Sequence, residues 1–153
     1  NSLVSSHLDY GNSLFYGLSK YSIKRLQRVQ NFLARVVISS CKKYDHIQPG
    51  LHELHWLPIE KRIEFKLATL TFKVLTHSQP TYLSALLHRH APTRSLRSCG
   101  KNLLVIPNVK SANGRRSFSF AAPTIWNSFP EIIRNSSSLA LFRKQLKTYL
   151  FPP

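Results

Sequence analysis

The sequence predicts a mainly α-helical fold: a helical bundle with a small irregular or β-hairpin insertion in its second half. Three observations lead there. Glycine is scarce, five among 153 residues. Over the first ninety positions, apolar residues recur mostly at helical spacing between short breaks. The second half holds a basic, turn-rich stretch, Arg94 to Asn113, around one short apolar run, Leu103-Leu104-Val105-Ile106, which suits a strand better than a helix. With 42% hydrophobic and 11% aromatic residues the chain has material for a core.

In chain order, Leu8 to Leu18 reads as a weak helix or turn segment ended by Gly11 and Gly17. Ser22 is suited to cap a helix from Ile23 to about Ser39. Its Ile23, Leu26, Val29, Leu33, Val36 and Val37 form an arc predicted to be buried, and Lys24, Arg28 and Arg35 fall together on the opposite side. The polar stretch Cys41 to Gly50 ends in Pro49-Gly50, a turn signal, and Leu51 to Trp56 has room for one helical turn. Pro58 suits the first position of a helix from Ile59 to about Thr76. There Ile59, Ile63, Leu67, Leu70 and Val74 make one apolar stripe, and Phe65 and Phe72 a second ridge, so this helix is expected to be central.

Pro80 or Thr81 opens a shorter helix through Leu83, Leu86 and Leu87 that stops before Pro92. Phe118 to Trp126 has helical offsets, with Pro123 expected to start or kink the helix. Asn135 to Ser138 supplies caps for a last helix, in which Leu139, Phe142, Leu146, Tyr149 and Leu150 face inward and Arg143, Lys144 and Lys147 outward. The expected organisation is a helical lobe over 1–92, with the basic hairpin or loop segment and C-terminal helices of 93–153 packed on it as one domain.

Charge is the most informative signal for function. Twenty-two Lys and Arg against six Asp and Glu give a formal +16. Asn1 to Glu64 holds nine basic residues against five acids, whereas Phe65 to Pro130 holds nine and no acid. The middle cations therefore need counter-charges from outside, as a polyanion would supply. Aromatics sit among the cations: Tyr44, Phe118, Phe120 and Trp126 near Lys42, Lys43, Arg115 and Arg116. That combination suits base stacking combined with phosphate contacts. Phe118 and Phe120 are the stacking candidates, and Trp126 is expected in the core.

Reaction chemistry is not evident. The six acids, Asp9, Asp45, Glu53, Glu60, Glu64 and Glu131, include no Asp-Asp pair, so a two-metal polymerase or nuclease centre is not expected. Glu60 and Glu64 share a helix face but lie among Lys61, Arg62 and Lys66, which suggests surface ion pairing. Cys41, His46, His52 and His55, with His88, His90 and Cys99, lack the paired spacing of a zinc knuckle or finger. No glycine-rich phosphate loop is present. The two cysteines read as reduced thiols. No stretch approaches the roughly 18 apolar residues of a membrane span, and Asn1 to Asp9 does not read as a secretory signal. Without a Met, the chain is expected to be a piece of a longer protein.

Several blocks in order carry a family resemblance. They are Leu8-Asp9-Tyr10-Gly11-Asn12-Ser13-Leu14-Phe15-Tyr16-Gly17-Leu18, Leu26-Gln27-Arg28-Val29-Gln30-Asn31 with Ala34-Arg35, and Tyr44-Asp45-His46-Ile47. There follow Leu54-His55-Trp56-Leu57-Pro58-Ile59 with Lys61-Arg62-Ile63, Arg94-Ser95-Leu96-Arg97-Ser98, Ala121-Ala122-Pro123 with Trp126-Asn127-Ser128, and Phe142 to Phe151. Together they resemble the far carboxy-terminal region of non-LTR (LINE-type) retrotransposon reverse transcriptase polyproteins of the jockey-like group. The sequence departs from that pattern at Gly11, where cysteine is common, and at Arg115-Arg116, where an acid often stands. The resemblance implies a non-catalytic segment following the polymerase fingers, palm and thumb, with the catalytic aspartates upstream.

The expected function is thus binding of RNA or DNA by phosphate contacts, through Lys24, Arg28 and Arg35, then Arg94, Arg97, Arg115 and Arg116. No catalytic residue, metal or cofactor is expected. The partners would be nucleic acid and the upstream polymerase domains, within an intracellular ribonucleoprotein in nucleus or cytoplasm, neither secreted nor in a membrane. The rival expectation is a helical packing module that completes the polymerase thumb or a dimer.

Overall fold

The structure is a computed structural model that describes residues 2–38, 46–91 and 101–151, with the side chains of its first helix described from Ser6. It is mainly helical. In chain order the helices are α1 (Ser2–Asp9), α2 (Lys20–Val37), α3 (Gln48–Glu53), α4 (Ile59–His77), α5 (Thr81–Ser84), α6 (Phe118–Ser128), α7 (Glu131–Arg134) and α8 (Leu139–Leu150), with 3-10 turns at Asn12–Phe15 and Gly114–Arg116. Among the described residues no helix is long and apolar enough to cross a membrane. The chain divides into two compact units, Asn1–Glu64 with Leu150–Pro153, and Phe65–Tyr149. The division falls inside α4, where the acid-free tract begins, and the 92/93 boundary expected from sequence lies within the second unit.

In the first unit Gly11 and Gly17 both take positive φ, 59° and 72°, where glycine is the residue of least strain. They bracket the 3-10 turn much as the sequence suggested. Helix α2 begins three residues earlier than expected, because Ser19 rather than Ser22 caps it and accepts the Ser22 N–H on its Oγ. Pro49 and Gly50 sit in the first turn of α3 instead of ending a loop. Proline is tolerated there because that N–H has no intrahelical acceptor. Helix α3 closes with Trp56 N–H on Leu51 O and His55 N–H on His52 O. This closure places His55 at φ 53°, the position glycine usually takes. His52 and His55 are exposed, and each meets the Phe151 ring edge-on.

The rotation of α2 differs from expectation. Its fully buried residues are Gln30 and Ala34, while Val29 and Val36, expected inside, are 45% and 64% exposed. Ile23, Leu26, Leu33 and Val37 are half-buried. Amide hydrogen bonds account for this. Gln30 Nε2 donates to Leu57 O at 2.8 Å, and Gln27 Oε1 accepts the Ile59 N–H at 2.9 Å, capping the start of α4. Gln27 Nε2 also donates to Gln30 Oε1 and Asn31 Oδ1, joining the set. Gln30→Ala leaves the Leu57 carbonyl without its donor and is expected to cost about 1–3 kcal/mol. Urea unfolding of the full chain measures this, and a change within about 0.5 kcal/mol would show that the amide set does not hold the helix.

The second unit takes the remainder of α4, whose Leu67, Ala68, Phe72 and Val74 are buried together with Leu104, Ala121, Ala122, Ile125, Trp126, Ile133, Phe142 and Leu146. Phe142 stacks on Phe72 (4.5 Å between centroids, 24°) and on Trp126 (5.8 Å, 25°). Helix α5 stops at Ser84 rather than Leu87, and the chain continues in i→i+3 bonds from Leu86 to Leu83 and from Leu87 to Ser84. Helix α6 starts at Phe118 and runs through the buried Pro123 instead of beginning there. Ser138 Oγ accepts the Leu141 N–H at the start of α8. Tyr149, expected to face inward, is exposed and edges onto Phe129.

The apolar run at 103–106 does not form a strand. The β pairing among the described residues is one antiparallel bridge, Arg89 to Leu104. The side-chain amide of Asn127 takes both backbone groups of Leu104, accepting its N–H at 2.9 Å and donating to its carbonyl at 2.8 Å. The bridge itself is bonded through His90 N–H to Leu103 O and Val105 N–H to His88 O, so Asn127 caps the opposite edge of the run, where a further strand would have to pair. Residues 92–100, which would turn an expected hairpin, lie outside the described residues.

Candidate nucleic-acid interface

Helix α2 carries Lys20, Lys24, Arg25, Arg28 and Arg35 and no acid. Lys24, Arg25 and Arg28 are exposed together, while Arg35, expected in the same stripe, is half-buried near the end of the helix. The amide set that turns Gln27, Gln30 and Ala34 inward leaves Tyr21 (70% exposed) and Phe32 (68%) outside, beside Val29 and Val36. Residues 21, 25, 29, 32 and 36 follow one stripe at helical spacing, and Lys24 and Arg28 flank it. The Arg25 guanidinium lies 6.0 Å from the Tyr21 ring centroid, within cation–π range. The face thus offers flexible cations around two accessible rings, which suits phosphate contacts combined with stacking of unpaired bases.

Sequence reasoning missed Arg25, Tyr21 and Phe32 as members of this face. The available signal was the absence of any acid between Lys20 and Val37. The missing step was the helix rotation, which depends on the distant carbonyl of Leu57 and N–H of Ile59.

In the second unit, Arg115 and Arg116 are exposed on the 3-10 turn Gly114–Arg116, and Lys101 and Lys110 are exposed as well. Gly114 shapes that turn: a Cβ there would stand 2.3 Å from Val109 Cγ1, so a side chain at 114 would displace the 109–114 loop. Gly114 N–H donates to Ser111 Oγ, and Ser117 Oγ donates to Gly114 O. Phe118 and Phe120, the stacking candidates, begin α6 only half-buried, whereas Trp126 is a core residue whose Nε1–H donates to Asn102 O. Arg94, Arg97, Lys42, Lys43 and Tyr44 lie outside the described residues, as do Cys41 and Cys99.

The charge is uneven between the units. Phe65–Tyr149 holds thirteen of the twenty-two basic residues and one of the six acids, a formal +12. In the first unit, Arg62 makes a two-pronged ion pair with Asp9 (Nε to Oδ1 2.9 Å), and Lys61 pairs with Glu64. Burial, then the charge of Glu64, pushes the Tyr16 phenol above its ordinary pKa. The described residues contain no group of three or more His, Cys, Asp or Glu able to hold a metal ion.

No family model matches this chain, and no curated protein or solved structure is similar to it.

Proposed function

We propose that the chain is a non-catalytic nucleic-acid-binding domain that grips RNA or DNA by phosphate contacts. One observation carries the reading: the outward face of α2 combines Lys24, Arg25 and Arg28 with the exposed rings of Tyr21 and Phe32, on a helix without an acid. Arg115 and Arg116 supply further exposed cations in a unit with almost no internal counter-charge. The sequence resemblance fits the same role, as the region that holds template RNA or target DNA for the polymerase of a retrotransposon reverse transcriptase in an intracellular ribonucleoprotein.

Salt dependence tests the proposal. Three phosphate contacts predict that affinity falls about 20-fold on single-stranded RNA, and about 40-fold on duplex DNA, between 50 and 200 mM salt. Fluorescence anisotropy with labelled oligonucleotides at the two salt concentrations measures both. Absence of binding at 50 mM salt would refute the reading.

A specific observation also favours a second reading, a packing module for a partner helix. Val29, Phe32 and Val36 leave an uncovered apolar seam on the same face of α2.

A further inference from the structure

The second unit holds a cavity of about 360 Å³ whose lining includes Arg89, Asn102, Trp126, Arg134 and Ser137. Arg134, the last residue of α7, is only 6% exposed. Its Nη1 donates to the Asn127 carbonyl at 3.3 Å, but its Nε–H is buried with no acceptor among the described residues. Glu131, the only acid between residues 65 and 149, is exposed, and among the described residues its carboxylate accepts a long 3.5 Å bond from the Asn135 amide. A buried guanidinium without a counter-charge costs several kcal/mol, so such groups are normally matched by an anion.

A second guanidinium lines the same cavity. Arg89 Nη1 donates to Asn102 Oδ1 at 2.6 Å, while Asn102 Nδ2 donates to the Arg134 carbonyl at 3.4 Å. Asn102 has a left-handed backbone (φ 51°), which asparagine tolerates better than most residues. Its own carbonyl accepts the Trp126 Nε1–H. One residue thereby links both arginines to the aromatic core. Guanidinium forks match the oxygens of a tetrahedral anion and hold it bidentately, and the volume falls within the range of small-molecule sites.

We propose that this cavity binds a phosphoryl group, with Arg134 as the buried anchor and Arg89 as the second donor. The group is offered either free, as inorganic phosphate or a mononucleotide, or at the end of a nucleic-acid strand; the recognition chemistry is the same. The site does not depend on α2.

The full chain is titrated with inorganic phosphate, and with acetate and chloride at matched ionic strength, by calorimetry and thermal unfolding. Phosphate alone is expected to raise the melting temperature. Arg89→Gln and Arg134→Met are each expected to weaken phosphate binding about tenfold or more. In chloride, Arg134→Met should melt no lower than wild type, since it removes an unpaired buried charge. If that variant does not fold, Arg89→Gln, at an exposed position, carries the test.

An oligonucleotide with and without a 5′-phosphate separates the sources. A phosphate-dependent gain lost in Arg89→Gln assigns a strand end, and binding of phosphate or mononucleotide without such a gain assigns a free ligand. An equal response to acetate, no response to phosphate, or an unchanged response in Arg89→Gln would overturn the site. Neutralising Lys24, Arg25 and Arg28 should leave phosphate binding intact, so this site and the α2 interface fail separately.

Discussion

Phe142→Ala is expected to destabilise the second unit by about 3–5 kcal/mol, the largest loss of stability anticipated from one substitution in this chain. Phe142 is fully buried and stacks on both Phe72 and Trp126, which also lie against each other at 6.5 Å between centroids. Removing it takes out ring contacts from both neighbours and leaves a void beside Phe72 and Trp126, whose backbones are fixed in α4 and α6. Trp126 fluorescence during urea unfolding provides a local reading in a Trp56→Phe background, which removes the tryptophan of the first unit. Tyr149→Ala, at an exposed ring edge, is the control and should cost under about 1 kcal/mol. A loss at Phe142 as small as the control's would mean that the three rings are not the centre of that core.

On nucleic acid, the largest effect is expected from the combined variant Lys24→Gln, Arg25→Gln, Arg28→Gln. Losing three phosphate contacts should lower the slope of log affinity against log salt by about two units on a single strand. Reversing the same three charges to Glu should abolish retention at 50 mM salt, since like charges then face the phosphates. All three side chains are exposed, so the fold should tolerate either set. Tyr21→Ser and Phe32→Ser add a second axis: each should cost about 1–3 kcal/mol on single strands, with little effect on the salt slope. Val36→Ser separates the packing alternative, because it interrupts the apolar seam without touching a cation or ring. Self-association or partner association lost in Val36→Ser, with nucleic-acid affinity unaffected by charge reversal, would decide against the interface.

The fold was legible where local pattern and tertiary contact agree. The apolar stripe of α4 is such a case, with Ile59, Ile63, Leu67 and Val74 buried and Leu70 half-buried. So is α8, where Phe142, Leu146 and Leu150 face inward and Arg143, Lys144 and Lys147 outward. Legibility failed where a polar side chain took over a backbone group far away in sequence. Gln27 and Gln30 set the rotation of α2 through residues 32 and 27 positions downstream, and Asn127 occupies both backbone groups of Leu104, 23 residues back. The candidate site divides in the same way. Lys24 and Arg28 were found by periodicity alone, but their ring partners depend on the rotation, and Arg134 becomes notable only once it is known to be buried without an acid beside it.

The glutamine clasp also acts as a rotational key. Left to hydrophobicity, α2 would roll its valines and phenylalanine toward the interior and show its amides to water. Two long-range hydrogen bonds hold it turned part-way from that pose, with Val29, Phe32 and Val36 outside, so the helix displays sticky surface by specification rather than by default. Mutations that make the clasp greasier would therefore preserve bulk hydrophobicity yet release the lock, and the cost would appear first as lost recognition.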